Sequence, residues 1–255
     1  MIIVLGFAIG LIVGSFLNVV ILRGAKGEPL TGRSRCDVCG HTLSVSELIP
    51  VASFVIQKAR CRSCGTALSW QYPLVEFATA LLYAVAAWFF LRESGPEPAA
   101  LLMLGATYLG IAAFVVIMVA DIRFQIIPNG AVLTLLILGI FESIARHAFF
   151  SDGAWALGIA LFFAAMWLVS KGRWLGLGDA KLTLATSILV GFPASLAAFL
   201  FSFWLGGVAA VPMLILGRKG MKSRIPFGPF ILAGTIGAYF FSAVFFRATG
   251  LAWVW

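Results

Sequence analysis

Long apolar segments recur along the whole 255-residue chain, and they constrain its fold more than any other feature. Hydrophobic residues make up 62% of the sequence, charged residues make up 11%, and the mean hydropathy is +1.05. The core of a soluble domain cannot use this much apolar sequence, whereas a set of membrane-spanning helices requires it. The sequence therefore predicts an all-α, polytopic membrane protein.

Segments of spanning length predict about eight transmembrane helices. The first has no basic start and no small-residue cleavage site, which favours a retained helix over a removed signal peptide. The sixth is short and is followed by Pro193, so a count of seven spans stays open. The predicted spans are residues 1–22, 73–91, 99–120, 128–146, 154–170, 182–192, 194–216 and 227–246.

The basic residues lie mainly on one side of the predicted membrane. Fifteen of the 18 Lys and Arg residues fall in the loops at 23–72, 121–127, 171–181 and 217–225. The positive-inside rule makes that side cytoplasmic and places both termini outside. Membrane topology thus explains the net charge of +8, and no nucleic-acid partner is expected.

The loop at 23–72 is the one segment able to fold outside the bilayer, yet it is small for a hydrophobic core of its own. It contains all four cysteines of the chain, as CDVC at Cys36–Cys39 and CRSC at Cys61–Cys64. Two Cys-x-x-Cys pairs with 21 residues between them resemble a zinc-ribbon spacing, slightly longer than usual. Four thiolates close a tetrahedral shell, so the predicted zinc is structural.

Two other interpretations of the cysteines stay open. One is a redox-active dithiol, and the other is a loop held by two disulfides, which a reducing cytoplasm disfavours. His41 could replace a cysteine as a ligand, although a histidine in a solvated turn is the simpler interpretation. The predicted zinc ligands are Cys36, Cys39, Cys61 and Cys64.

Two carboxylates stand apart from the other acidic residues because they lie at membrane depth. Asp121 ends the third predicted span, and Asp179 opens the sixth. Ionisable groups at this depth are costly and suggest a function. The chain crosses the membrane twice between them, so both reach the same face. Two neighbouring carboxylates share a proton and can act as base and acid in aspartyl-protease chemistry. Glu142, near the other end of its helix, is interpreted as structural.

Two glycines precede the second aspartate. Gly176 and Gly178 lack side chains, so an extended substrate could approach Asp179 closely, and they disfavour a helix just before it. In the alternative interpretation, the two aspartates are interface residues paired with Arg123 and Lys181.

Two other classes of protein also contain buried carboxylates or zinc loops. A transporter could use the paired aspartates to relay protons or bind a cation, but it is expected to show related halves, and no repeat is visible. A membrane scaffold could dock a cytoplasmic partner through the zinc loop, but this leaves the two aspartates unexplained.

The ordered motifs resemble those of the type IV prepilin peptidases nearly from end to end. A single GxGD motif recurs by chance, whereas the whole ordered set is specific. The motifs are GSFLNVVILR at Gly14–Arg23, the two cysteine pairs, IPVASF at Ile49–Phe54, CRSCGTALSWQYPLVE at Cys61–Glu76, DIRFQIIPN at Asp121–Asn129, GLGD at Gly176–Asp179 followed by AKL, and IPFGPF at Ile225–Phe230.

The resemblance implies an endopeptidase that removes the short basic leader of type IV prepilins or pseudopilins. The cut falls after a glycine on the cytoplasmic face of the bacterial inner membrane, and Asp121 and Asp179 are the catalytic pair. In bifunctional relatives the cysteine loop is associated with N-methylation of the new amino terminus from S-adenosylmethionine. A peptidase without the methyltransferase activity is the alternative. The residues expected to bind substrate or support the site are Gly176, Gly178, Lys181, Pro226, Gly228 and Pro229.

The resemblance also implies an organisation of the chain. Residues 1–22 form the first transmembrane helix, 23–72 the cysteine loop, and 73–255 the peptidase core. The family commonly has a glycine where this chain has Ala59, and the segment LSVSELIP lacks the family's usual aromatic and amide run. Ser15, Asn18 and Glu76 flank the loop and either face a shared site or serve helix packing.

Overall fold

A computed structural model describes residues 1–94, 97–215 and 226–250 of the chain. Regular structure in these residues is helical, apart from two isolated β-bridges. The predicted loop at 217–225, with four of the predicted cytoplasmic basic residues, lies outside the described residues.

Nine α-helices and one short 3-10 helix, Val45–Glu47, occur in the described part of the chain. The α-helices are α1 (Ile2–Lys26), α2 (Ala52–Ile56), α3 (Gln71–Ser94), α4 (Pro98–Phe124), α5 (Asn129–Ala145), α6 (Phe149–Ser170), α7 (Leu177–Val190), α8 (Ala194–Ile215) and α9 (Gly228–Ala248).

Six of the described helices, α1, α3, α4, α6, α8 and α9, are long and apolar enough to cross a membrane. Two further helices, α5 with 17 residues and α7 with 14, occupy the fourth and sixth predicted spans but are shorter. The prediction of a polytopic all-α membrane protein is confirmed, and the count of eight spans is approximate.

The chain divides into two units, one covering Met1–Val116 and the other beginning at Ile117. In the first unit α1 packs along α3 through small residues spaced four apart, Gly6, Gly10 and Gly14. A β-carbon on Gly10 would lie 2.5 Å from the Cα of Ala80, so the two backbones touch. Close packing of this kind holds membrane helices together because lipid offers little hydrophobic drive for their association.

In the second unit the short helix α7 lies at the centre. It packs against α5, α6, α8 and α9, and its Leu182 and Ala185 are completely buried. The α8–α9 pair is equally close, since a β-carbon on Gly234 would lie 2.7 Å from the carbonyl oxygen of Ala198. Asp179 lies in the first turn of this central helix and is buried.

An ion pair between a buried aspartate and an exposed arginine lies at the C-terminal end of α7. Asp152, only 2% exposed, accepts hydrogen bonds from Ser143 Oγ at 2.7 Å, Arg146 Nη2 at 3.0 Å and the Phe192 N–H at 2.9 Å. Arg146 also donates to the carbonyl of Ile188 at 3.0 Å. The sequence places Asp152 in a loop where a carboxylate needs no explanation, and this buried role was missed.

Candidate active site and metal centre

Asp121 lies in the last turn of α4 and is 5% exposed. Its Oδ2 accepts a hydrogen bond from the backbone N–H of Gly228 at 2.9 Å. Gly228 is itself buried and is the first residue of α9. A helix N-terminus carries free N–H groups, so the start of α9 supplies a donor that satisfies the buried carboxylate.

Asp179 is the third residue of α7 and is 7% exposed. Its Oδ2 accepts the N–H of Gly176 at 2.8 Å, and its own N–H donates to the Gly176 carbonyl at 3.1 Å. This is the side-chain-to-backbone half of a capping box. The expectation that the glycines disfavour a helix here is wrong: α7 begins at Leu177, earlier than predicted, because Asp179 caps it and Gly178 lies in its first turn.

The two carboxylates belong to the same unit and lie within electrostatic range of each other. The segment that follows α4 helps to place them. A β-carbon on Gly178 would lie 3.2 Å from Ile127 Cβ, and Lys181 Nζ donates to Asn129 Oδ1 at 3.4 Å. The connection from α4 to α5 is thereby packed against the first turns of α7.

Neither aspartate has a basic side chain within ion-pair distance in the part of the chain that the structure describes. Arg123 lies over the ring of Phe124, with its Cζ 5.9 Å from the ring centroid, and Lys181 is exposed. The alternative in which Arg123 and Lys181 neutralise the two carboxylates therefore has no support among the described contacts.

The remaining predicted support residues differ in what they touch. Gly176 is exposed, whereas Gly178 is half-buried against Ile127. Pro226 and Pro229 are half-buried on either side of Gly228, and Pro229 occupies the first turn of α9, where its missing N–H costs nothing. Direct contact with a carboxylate is thus recorded for Gly176 and Gly228.

The four cysteines converge as predicted. Their Sγ atoms all lie within 4.8 Å of one another, and Cys36 Sγ and Cys64 Sγ are 3.9 Å apart. Four thiolates at the Zn–S distance of about 2.3 Å in a tetrahedron would be about 3.8 Å apart. The loop therefore forms a candidate metal site, and the donor set and spacing fit zinc.

The two cysteine pairs form near-identical turns. The Gly40 N–H donates to the Cys36 carbonyl at 3.0 Å, and the Gly65 N–H donates to the Cys61 carbonyl at 2.9 Å. Both glycines have φ of +72°, a left-handed conformation that favours glycine. The sequence repeat CxxCG is thus a structural repeat that presents two thiols from each turn.

Local hydrogen bonds favour the thiolate at two of the four cysteines, whereas burial and the neighbouring thiols raise the pKa of Cys39 to about 11. Bonds from the side chain and backbone of Thr66 lower the pKa of Cys64 to about 6, and the N–H groups of Cys39 and Val38 lower the pKa of Cys36. Thiolates are the form that binds metal. His41 turns away from this role, since its Nε2 lies 3.5 Å from Glu47 Oε2.

A cavity of about 710 Å³ lies in the first unit, between the cysteine loop and the ends of α1 and α3. Ser15, Asn18 and Glu76 all line it, so these three residues do face a shared space. Glu47 lines it too and was missed, because its segment SELIP has the composition of an ordinary loop.

The structure defines a multi-pass membrane protein with two buried aspartates in its second unit and a four-cysteine cluster in its first. Residues 8–90 match the Bacterial Peptidase A24 N-terminal domain, and residues 108–211 match the Type IV leader peptidase family.

Proteins with similar sequences match this chain over nearly its full length. A prepilin leader peptidase/N-methyltransferase of Bacillus subtilis (strain 168) is 34% identical over 92% of each chain. Proteins of the same name are 31% identical in Burkholderia pseudomallei (strain 1026b), over 96% of this chain and 88% of the relative, and 34% identical in Pseudomonas aeruginosa, over 89% and 87%. No solved structure matches the chain significantly. The chain belongs to the type IV leader peptidase family, as its motifs indicate.

Proposed function

We propose that this protein is a membrane aspartyl endopeptidase that removes the basic leader of a type IV prepilin or pseudopilin, cutting after a glycine. The observation that carries the proposal is the pair Asp121 and Asp179. Both are buried in one unit, and each has one oxygen held by a glycine N–H. The names of the similar proteins support the substrate class.

The proposed chemistry needs one ionised and one protonated carboxylate, a state that two neighbouring carboxyl groups readily adopt. The ionised carboxylate takes a proton from a water molecule as the water oxygen attacks the scissile carbonyl carbon. The protonated one donates to the carbonyl oxygen, and the C–N bond then breaks as the leaving amine takes up the proton that the first carboxylate received from water. The N–H groups of Gly228 and Gly176 hold the carboxylates in place and stabilise a negative charge on Oδ2.

The other predicted residues have positioning roles in this proposal. Gly228 and Gly176 orient the two aspartates directly. Gly178 admits Ile127 at the start of α7, and Lys181 ties this helix to Asn129. Pro226 and Pro229 restrict the backbone conformation on either side of Gly228.

We place the protein in the bacterial inner membrane with its active site facing the cytoplasm. Asp121 is followed by Arg123, and Asp179 lies between Arg173 and Lys181, so both lie at basic ends of their helices. In inverted vesicles, a cysteine introduced at Arg173 should add one membrane-impermeant maleimide label to those on the wild-type protein, whose four cysteines lie on the same predicted side, and it should add none in right-side-out vesicles. The opposite pattern would reverse the orientation.

We propose that the four cysteines hold one structural Zn²⁺. The Sγ separations and the two matching turns support this assignment. Metal analysis of the purified protein should find one equivalent of zinc, which replacement of Cys36 and Cys39 by serine should remove. A folded loop without metal in the wild-type protein would contradict it.

A second activity, N-methylation of the new amino terminus, is part of the proposal. S-adenosylmethionine supplies the methyl group when it is bound. The complete loop at 23–72 and the names of the relatives support this activity. We accordingly propose a division of the chain into the first membrane helix at 1–22, the methyltransferase-associated loop at 23–72 and the peptidase at 73–255.

One assay tests both activities. The purified protein is incubated with a full-length prepilin, with and without S-adenosylmethionine, and the products are weighed by mass spectrometry. Leader release is expected in both reactions, and an added methyl group only with the donor present. Folded protein that releases no leader from any prepilin would contradict the peptidase and favour a transporter or scaffold. Release without methylation would leave a peptidase only.

A further inference from the structure

A stripe of exposed apolar side chains runs along α3 and ends at the cysteine loop. Leu74, Phe77 and Leu81 are exposed on this helix, which is long and apolar enough to cross a membrane. The Leu74 N–H donates to the Trp70 carbonyl at 3.2 Å, so helical hydrogen bonding reaches back to the exposed Trp70. Residues spaced by three or four share one face of a helix, so Trp70 is the end of this stripe. On a membrane-spanning helix, an exposed apolar stripe faces lipid.

The short helix α2 is held beside the end of the stripe. The buried Phe54 ring of α2 packs against the Trp70 ring, with the two centroids 4.9 Å apart. The Val51 N–H, just before α2, donates to Glu76 Oε2 at 2.7 Å. These contacts place α2 level with the first two turns of α3. Tryptophan is enriched where spanning helices meet the lipid headgroups, so α2 lies at the depth of the membrane surface.

The side of α2 that turns away from Phe54 is apolar. Val55 and Ile56 are exposed there, as are Leu48 and Ile49 in the segment that leads into the helix. The Ser53 N–H donates to the Ile49 carbonyl at 3.0 Å and joins this segment to α2. A cluster of exposed apolar side chains indicates a contact surface. We call the residues Leu48, Ile49, Val55 and Ile56 the α2 patch.

The chain around the α2 patch carries charge of one sign only. Residues 48–72 contain no Asp or Glu, whereas they contain the exposed Lys58, Arg60 and Arg62. None of these three is within ion-pair distance of a carboxylate in the part of the chain that the structure describes. An apolar face beside unpaired basic side chains is typical of a segment that lies on an anionic bilayer surface.

We propose that the α2 patch docks the cysteine loop on the bilayer, with its apolar side chains among the lipids and Lys58 and Arg62 against anionic headgroups. The partner is lipid, because the patch continues the lipid-facing stripe of α3 at the same depth. Docking holds the cysteine loop against the membrane surface. The inference goes beyond the proposed function and needs neither leader cleavage nor methylation to be correct.

Photo-crosslinking to lipid tests this contact. The full-length protein with p-benzoylphenylalanine in place of Val55 is reconstituted in vesicles of phosphatidylglycerol and phosphatidylethanolamine, in equal parts and with the same acyl chains. After irradiation, mass spectrometry measures the fraction of protein that carries a lipid adduct. Ile56 serves as a second position for the probe. Both side chains are exposed, so the replacements should leave the thermal unfolding temperature unchanged.

Val38 is the matched control position, because it and Val55 are both 68% exposed. Its neighbour Asp37 pairs with Lys26 at 3.2 Å, at the end of α1. A β-carbon on Gly14 of α1 would lie 2.7 Å from the Cα of Glu76, so Gly14 is level with α2. At about 1.5 Å per residue, Lys26 is about 18 Å further along α1, which places Val38 away from the membrane surface.

The α2 patch should give at least tenfold more lipid adduct than the control position. Equal adduct at Val55 and Val38 would overturn the docking. A dimer-sized product at Val55 in place of the lipid adduct would also overturn it and assign this face to a contact between two copies of the chain.

The headgroup of the adduct tests the basic residues. Phosphatidylglycerol should be enriched at least twofold over phosphatidylethanolamine in the adduct at Val55. Lys58→Gln combined with Arg62→Gln should abolish this enrichment, whereas Arg92→Gln combined with Arg247→Gln, on the opposite predicted side, should leave it unchanged. Enrichment that survives the loss of Lys58 and Arg62 would overturn their contact with anionic headgroups.

Discussion

Gly228 and Asp121 are in direct contact across 107 positions of sequence: the Gly228 N–H donates to Asp121 Oδ2 at 2.9 Å. A β-carbon on residue 228 would lie 2.7 Å from that same oxygen. The start of α9 therefore packs directly against the Asp121 carboxylate, and any residue larger than glycine at position 228 must displace that carboxylate.

Gly228→Ala is expected to lower leader cleavage at least tenfold, because a shift of about 1 Å at a reacting group can cost 100-fold in rate. Initial rates of leader release measure the effect. Gly207→Ala, in α8 where a β-carbon would meet nothing within 4 Å, is the control and should cleave normally. Equal rates for the two variants would show that Gly228 does not position Asp121.

Asp152→Ala is expected to destabilise the second unit by about 3 kcal/mol. The change removes the buried partner of Arg146 and leaves Ser143 and the Phe192 N–H without an acceptor. Thermal unfolding of the wild-type and variant proteins in detergent measures this loss of stability.

Glu142→Ala is the matched control, because Glu142 is the exposed partner of the same arginine at 3.8 Å. Exposed ion pairs contribute little, so this variant should stay within about 0.5 kcal/mol of the wild type. Similar losses for both would argue against the buried cluster as the source of stability.

Ala59→Gly is expected to stabilise the cysteine loop by about 1 kcal/mol. Ala59 has φ of +56°, a left-handed conformation that costs a residue with a β-carbon on the order of 1 kcal/mol. The measurement is zinc release to a chelator as denaturant is added. The variant should release its zinc at a higher denaturant concentration than the wild-type protein. Ala67→Gly, at the bridge to Arg60, should gain nothing.

Thr66→Val is expected to raise the pH at which the loop loses zinc. The Thr66 side chain lowers the pKa of Cys64 to about 6, so this thiol stays ionised until the pH falls through that value. Without the hydroxyl the pKa rises towards that of an ordinary thiol, and protons compete with zinc at higher pH. Zinc content measured across pH 5–8 should show the shift, whereas Thr42→Val in the first turn should not.

The apolar runs predicted the positions of the eight long helices well, because membrane burial imposes a length and composition on each. The start of α7 was predicted too late, because Gly176 and Gly178 were interpreted as helix-disfavouring. Asp179 overcomes that preference by capping the helix, an effect that depends on one side-chain bond.

The spacing of the two CxxCG motifs favoured one four-cysteine cluster over a redox dithiol or two disulfides, and the four Sγ atoms do converge. By contrast, the burial of Glu47 and Asp152 depends on tertiary contacts that a loop sequence does not reveal. The contact of Gly228 with Asp121 joins residues from distant helices, and only the family motifs indicated that Gly228 matters.

The central claim is that Asp121 and Asp179 act as one catalytic pair, and the most direct measurement is leader release by isosteric variants. Asp121→Asn and Asp179→Asn should each insert into the membrane, keep their zinc and reduce cleavage of a full-length prepilin at least 1000-fold, the order of loss expected when a catalytic acid or base is removed. Glu142→Gln should cleave at the wild-type rate. Cleavage near the wild-type rate by either asparagine variant would contradict the account.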